Sequence, residues 1–281
     1  MFTKLLKHEW QATRGIIGLL CVIILIAGIT IGITMYTMIS ASQDGATVAI
    51  DGTIVLETLQ PISEFAEVAG VLLIMAGVGA VAICTAGSLF FLIYRFYKRC
   101  FTDEGYLTFT LPVTNHQILL SSLLNTIVGE LLVILSCVVA VAIAFFLFLI
   151  AANYQVNWAD LWVQWSDAWQ QIVESFWKNA DQFALVGFSG IVGAISELIL
   201  LMTAVTIGAL IARKHKILAA VGVYYGIGLV KSFVYTMFAV GATTTQDVNT
   251  LLATPGLMGA VLAVGGYFGM HYLISRKLNL T

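Results

Sequence analysis

Long apolar runs separated by short polar segments dominate the chain. The predominantly apolar runs cover roughly residues 16–39, 68–93, 118–150, 184–212, 217–241 and 256–274. No charged residue occurs between Arg14 and Asp44, or between Glu67 and Arg95. A bilayer needs about 20 apolar residues per helix, whereas the strands of membrane barrels are shorter and alternate in polarity. The pattern therefore predicts an all-α, polytopic membrane protein with six transmembrane helices.

The N-terminal segment 1–14 mixes charges with apolar residues. Phe2, Leu5, Leu6 and Trp10 fall on one stripe of a helix, and the basic residues lie elsewhere. This pattern predicts an amphipathic helix in the membrane interface, with a frayed basic terminus as the alternative. The run 16–39 exceeds the apolar core of a secretory signal, so we expect it to be retained as the first span.

A second amphipathic pattern lies in the outer segment 151–183 and is built from tryptophans. Trp158, Trp162, Trp165 and Trp169 recur at spacings of four, three and four, which places them on one helix face. Tryptophan is favoured at the headgroup level of a membrane. We expect a helix anchored at the outer headgroups. A lid over an exit pathway is a compatible alternative.

Composition supports the membrane location, and the distribution of charge predicts an orientation. Of 281 residues, 60% are hydrophobic and 10% are charged, against about 25% charged in soluble domains. With six spans, eleven Lys and Arg residues fall on one side and only Lys178 falls on the other. The positive-inside rule then places both termini in the cytoplasm. We expect one membrane domain over residues 1–281, surrounded by lipid, with no nucleic-acid partner.

Glycines recur at GxxxG spacing in three of the predicted spans. The pairs are Gly28/Gly32, Gly222/Gly226 and Gly265/Gly269. Such pairs allow close helix contact, either within a bundle or between subunits.

Three charged residues interrupt the apolar runs, namely Glu130, Glu197 and Lys231. A charge at the bilayer centre costs about 2.5–3.5 kcal/mol on insertion scales, so we expect these side chains to face protein or a wet cavity. One interpretation is a Glu–Lys pair that joins helices, with the other Glu protonated or hydrogen-bonded. The other interpretation is a polar cavity or an ion-coupling relay. That interpretation leads to an alternative function, an ion-coupled secondary transporter.

Motifs for enzyme chemistry are weak or missing from the sequence. No G-x-x-x-x-G-K-[ST] pattern and no Gly-Lys dipeptide occur, so the chain has no P-loop. The stretch 187–190, GFSG, matches the GxSG of intramembrane proteases, but His271 is expected roughly 20 Å away in depth. A protease of this kind needs a general base within hydrogen-bond reach of its serine, so we do not expect this match to be catalytic. The four histidines are singly placed, and the four cysteines form no CxxC pair. We predict no enzyme activity, no metal site and no cofactor bound directly.

Residues 94–117 form the longest connection on the expected cytoplasmic side. Asp103, Glu104 and Gly105 are a turn signal, and Pro112 restricts Leu111 to extended geometry. Thr114 and Gln117 have the spacing of a capping box at the start of the next helix. The apolar side chains between these signals are Tyr106, Leu107 and Phe109. Apolar side chains grouped in water indicate a binding surface.

The stretch 101–114, FTDEGYLTFTLPVT, resembles the cytoplasmic loop of ATP-binding-cassette type-2 permeases, particularly the small six-span permeases of Gram-positive bacteria. One departure is Ser121-Ser122, where such permeases often carry Ser-Lys. The resemblance implies a permease subunit in the bacterial cell membrane that exports a hydrophobic or amphipathic substrate such as a peptide. It also implies a second permease subunit, identical or different, and a separate ATPase subunit that binds ATP and Mg.

In this family the first cytoplasmic loop acts as a coupling helix on the ATPase. The residues of this chain that the resemblance places in that contact are Phe101, Asp103, Glu104, Gly105, Tyr106, Leu107, Phe109, Leu111 and Pro112. The short loop Arg213–Lys216 is expected to make a second contact, and the N-terminal helix often joins the first. The transport path is expected between two permease subunits.

Overall fold

The structure is a computed structural model that describes residues 2–47, 56–102, 104–105, 108, 110, 113–152, 158–212, 214–245 and 248–277. The helices within these ranges are α1 (Phe2–Thr47), α2 (Leu56–Phe101), α3 (Asn115–Ala152), α4 (Trp158–Lys178), α5 (Ala180–Ile211), α6 (Lys216–Thr245) and α7 (Val248–Lys277). No strand occurs in the ranges described. The all-α prediction is confirmed.

Six of these helices, all except α4, are long and apolar enough to cross a membrane. Their candidate spans are Phe2–Ile39, Val68–Phe101, Asn115–Ile150, Ala180–Ile211, Lys216–Phe238 and Leu252–Ser275. The predicted number of spans is therefore confirmed by length and composition. Their orientation stays a prediction.

The N-terminal segment is helical, as predicted, and it continues without a break into the first span. Helix α1 runs from Phe2 to Thr47. No proline occurs along it, and isolated glycines such as Gly15 weaken a helix without ending it. The predicted outer amphipathic helix is also present, as α4. Its bounds, Trp158–Lys178, lie inside the predicted segment.

The chain divides into two compact units. The first comprises Met1–Ala12, Phe90–Val128 and Gln171–Thr281, and the second comprises Thr13–Leu89 and Gly129–Gln170. The first unit thus contains the start of α1, the end of α2, the start of α3, the end of α4 and all of α5, α6 and α7. The prediction of a single domain over the whole chain stays a prediction.

A cluster of buried apolar side chains forms the core of the first unit. Its members are Phe96, Cys100 and Phe101 from α2, Ile118, Leu119 and Leu123 from α3, Ile199 and Met202 from α5, and Met270 and Ile274 from α7. Helices α2 and α3 flank the loop of residues 102–114. The loop is therefore anchored on this core at both of its ends.

In the second unit, α1 and α3 approach each other at a glycine. A Cβ atom at Gly28 would lie 2.6 Å from the Cβ and 2.8 Å from the Cα of Ala140. A Cβ at Gly32 would lie 3.0 Å from the Cα of Ala144. One predicted glycine pair therefore brings two helices into backbone contact, as small residues do in membrane proteins.

Candidate functional site

The loop between α2 and α3 begins with a helical turn. The amide of Gly105 donates to the carbonyl of Thr102 at 2.7 Å, and the hydroxyl of Thr108 donates to the carbonyl of Glu104 at 2.9 Å. The Lys98 ammonium lies 2.7 Å from the Glu104 carboxylate, and both side chains are about half exposed (52% and 54%). The turn predicted from the acidic residues and glycine is therefore present and is tied to the last turn of α2.

Gly105 is buried where the turn folds back on the end of α2. A Cβ atom there would lie 2.8 Å from the carbonyl oxygen of Cys100 and 3.1 Å from its carbonyl carbon. Backbone atoms cannot move aside as a flexible side chain can. The close approach of the turn to α2 therefore requires glycine at this position.

Phe101, predicted to contact an ATPase, lies in the core of the first unit. Its ring packs edge-on against Phe96 at 6.1 Å and stacks on Tyr97 at 6.2 Å between centroids. The Lys216 ammonium donates to the Phe101 carbonyl at 3.5 Å. The side chain thus positions the start of the loop, while its contact with a partner stays a prediction.

The other residues predicted for that contact divide into two groups. Glu104 and Gly105 belong to the helical turn already described. The rest lie outside the described residues, namely Asp103, Tyr106, Leu107, Phe109, Leu111 and Pro112. Their part in a contact with a partner stays a prediction.

The start of α3 has the predicted cap. The amide of Gln117 donates to the backbone carbonyl of Thr114 at 2.9 Å and to its side-chain oxygen at 3.4 Å. A hydroxyl that accepts from the third residue of a helix satisfies one of the amides that lack a partner within the helix. Thr114 therefore fixes the residue at which the loop ends and α3 begins.

A buried ion pair joins three segments of the first unit beside this loop. The Glu9 carboxylate of α1 pairs with the Arg99 guanidinium of α2, and their side chains are 6% and 15% exposed. From α3, the hydroxyl of Ser122 donates to Glu9 at 2.9 Å and the hydroxyl of Ser121 at 3.4 Å. Arg99 also donates to Ser122 at 3.2 Å. We call these four residues the Glu9 cluster.

Sequence reasoning did not identify Glu9 as a site residue. The available signal was that Glu9 is the only acidic residue before Asp44, in a segment otherwise rich in cations. The Arg99 guanidinium lies beside the hydroxyls of both serines of the cluster, at 3.5 Å from Ser121 and 3.2 Å from Ser122. The Arg95 guanidinium adds a further link, since it donates to the carbonyl of Ala12 at 3.3 Å.

The three charged residues within spans each have a polar partner on a neighbouring helix. Lys231 of α6 forms an ion pair with Glu197 of α5, and the hydroxyl of Tyr224 donates to the same carboxylate at 2.7 Å. In the second unit, the hydroxyl of Ser88 donates to the Glu130 carboxylate at 3.2 Å. This arrangement matches the interpretation in which the charges join helices.

A cavity of about 870 Å³ lies between α6 and α7. Its lining is almost entirely apolar and includes Val230, Phe238, Leu257 and Val261, with Lys231 on one wall. A space of this size and chemistry can accommodate an apolar or amphipathic molecule.

Two of the four histidines, which were predicted to be singly placed, are in contact. The rings of His116 and His271 stack with 3.9 Å between centroids, and His116 Nδ1 lies 3.0 Å from the Tyr267 hydroxyl. The start of α3 and the end of α7 meet in the core of the first unit, which brings the rings together. In the portion of the chain that the structure describes, no group of three or more potential metal ligands occurs.

The aromatic face of α4 is exposed. Trp162, Trp165 and Trp169 are each more than half exposed, whereas the side chain of Trp158 lies outside the described residues. At the other end of α4, the ring of Phe176 packs against Phe183 of α5 at 5.2 Å between centroids. Exposed tryptophans are compatible with both predicted roles, a headgroup anchor and a lid.

Comparison with known proteins gives no significant similarity: no protein-family model matches the chain, and no curated protein or solved structure matches it.

Proposed function

We propose that this chain is the permease subunit of an ATP-driven transporter, and that a separate ATPase subunit docks on the loop of residues 102–114. The observation that carries the proposal is the attachment of the loop's helical turn to the end of α2. The sequence has no P-loop, so an ATP-driven mechanism needs a second chain to bind ATP and Mg.

The proposed coupling runs through two contacts of the turn and through the burial of Phe101, the last residue of α2. Glu104 pairs with Lys98, Gly105 lies against the backbone of Cys100, and Phe101 is buried in the core. A closely packed interior transmits displacement because it has few voids to absorb it. A force on the turn therefore moves the end of α2.

The Glu9 cluster extends this coupling to the other two helices. Arg99 lies on the last turns of α2, and its partners lie on α1 and α3. A buried ion pair that separates leaves a charge without its partner, at a cost of several kcal/mol. Movement of α2 is therefore expected to carry the start of α1 and the start of α3 with it.

The proposed cargo is hydrophobic or amphipathic, such as a peptide, and its transport is export. The apolar lining of the cavity between α6 and α7 supports this chemistry. We further propose that a second permease subunit, identical or different, completes the transporter in the bacterial cell membrane, with both termini in the cytoplasm.

We assign Glu130, Glu197 and Lys231 to joining helices rather than to an ion-coupling relay. Each has a polar partner on a neighbouring helix that neutralises or solvates it. A relay needs carboxylates that exchange protons with water along a path. The ion-coupled alternative therefore has less support than the ATP-driven function.

The experiment is co-purification of the tagged chain from its own cells, followed by identification of the proteins that it retains. We expect a P-loop ATPase with the unaltered chain and loss of that ATPase with Phe109→Asp, which puts a charge into the predicted contact. Trp165→Asp, an equivalent change on exposed α4, should retain it. If the unaltered chain binds no ATPase, or if Phe109→Asp binds it fully, the proposal is wrong.

A further inference from the structure

A second cavity of the first unit lies where α6 begins. It has a volume of about 360 Å³ and is lined by Tyr97, Lys214, His215, Lys216, Ile217 and Leu218. Lys214 and Lys216 each contribute an ammonium group, and His215 contributes an imidazole. The lining residues that the structure describes include no carboxylate. We call this cavity the α6 basic pocket.

The pocket lies at the boundary of a candidate membrane span. The apolar span of α6 starts at Lys216 itself. Directly after it, Ile217 and Leu218 are 48% and 75% exposed, so the apolar surface continues from the pocket along the helix. Cationic side chains where a span begins, followed by exposed aliphatic side chains, match the anionic headgroup and the acyl chains of a lipid.

The lysines differ in how they are held. Lys216 is half-buried, and its ammonium lies 3.5 Å from the Phe101 carbonyl oxygen, a long hydrogen bond that places it beside the end of α2. Lys214 is exposed and extends the positive charge outward. The first-turn amides of α6 add positive potential on the same side, because a helix carries partial positive charge at its N-terminus.

We propose that the α6 basic pocket binds the phosphate headgroup of an anionic lipid, with its acyl chains along Ile217 and Leu218. Basic pockets between transmembrane helices bind anionic headgroups in this way. The resemblance to permeases assigns the loop Arg213–Lys216 to a second ATPase contact. The exposed apolar surface next to the lysines favours lipid, because a soluble partner gains nothing from side chains that lie within the membrane.

The test uses the full chain purified in detergent and measures bound lipid by native mass spectrometry. Dioleoyl phosphatidylglycerol should bind, and dioleoyl phosphatidylcholine at the same concentration should not. The double change Lys214→Gln with Lys216→Gln should weaken phosphatidylglycerol binding roughly thirtyfold. Lys178→Gln removes an exposed lysine at the end of α4 and should leave binding unchanged.

Two further arms separate a lipid from other anions. Leu218→Gln should weaken the binding of phosphatidylglycerol, because it removes an apolar contact with the acyl chains while keeping the positive charge of the pocket. Inorganic phosphate should not displace the lipid at millimolar concentration. Equal binding of the two lipids, full binding by the double variant, or displacement by phosphate would each overturn the proposal. It is also overturned if the double variant keeps the lipid and loses a co-purifying ATPase, since the pocket is then a protein contact.

Discussion

The contact between Glu9 and Arg99 is a buried ion pair beside the proposed docking loop. Both side chains are largely buried, and two serine hydroxyls donate to one oxygen of the carboxylate. Such a pair contributes less to stability than its charges suggest, because desolvation opposes their attraction. Its loss is costly because the remaining charge stays buried. The pair is therefore suited to keeping three segments in one arrangement.

Removing one charge of this pair should destabilise the protein. Glu9→Ala leaves the buried Arg99 guanidinium without its carboxylate, so we expect a loss of about 3–5 kcal/mol in the free energy of unfolding. Denaturant unfolding of the purified chain in detergent would measure it. Glu104→Ala is the matched control, since it removes the exposed partner of Lys98 and should cost much less. Equal losses for the two variants would contradict the role given to burial.

Contacts between residues that are close in the sequence could be predicted, whereas contacts between distant segments could not. Thr114 as a helix cap and Gly105 in a turn follow from local chemistry within a few positions, and both are confirmed. Glu9 and the pair His116–His271 depend on segments more than 80 residues apart coming together. No local sequence pattern encodes a contact between such distant segments. The sequence indicates only that these residues differ in type from their neighbours along the chain.

At the scale of helices, close packing depends on a few glycines. A side chain at Gly28 would meet the backbone of Ala140, whereas one at Gly222 has nothing within 4 Å among the described neighbours. The two positions share GxxxG spacing in the sequence, yet only the first lies in a helix–helix contact of the structure. Spacing alone therefore identified both candidates and could not separate them.

This difference predicts opposite effects of the same substitution. Gly28→Ala forces α1 away from α3, and overpacking of this kind costs about 1–3 kcal/mol of unfolding free energy. Gly222→Ala should be neutral or stabilise by up to about 1 kcal/mol, since alanine is the better helix former. Thermal unfolding of both variants in the same detergent checks the prediction. It would be contradicted if Gly222→Ala lowered stability as much as Gly28→Ala.

The existence of the helices could be predicted well, and their ends less well. Six apolar runs and one tryptophan face gave the right elements because their periodicity and length are strong signals. The boundary expected near Arg14 is missing, because an amphipathic start and an apolar span can share one helix when no proline or cap intervenes. The pattern of polar and apolar residues indicates what surrounds a helix, such as water or lipid. Those surroundings can change along the chain while the helix continues.

For the whole molecule, composition alone was sufficient to predict a membrane protein. A chain with 60% hydrophobic residues and six long apolar helices exposes far more apolar surface than water tolerates. The grouping of helices into two compact units was not predictable, because it depends on contacts between distant segments. The orientation and the partner ATPase are proposals at this scale, and both concern the same loop.

Cross-linking from Glu104 tests the central claim most directly. Glu104→Cys places a thiol on the exposed helical turn, and Lys178→Cys places one at the end of α4, on the side expected to face away from the cytoplasm. With a short thiol–amine cross-linker in membranes of the native cell, we predict an adduct between Glu104→Cys and a P-loop ATPase, and none from Lys178→Cys or the unaltered chain. No ATPase adduct from Glu104→Cys, or an equal adduct from Lys178→Cys, would contradict the account.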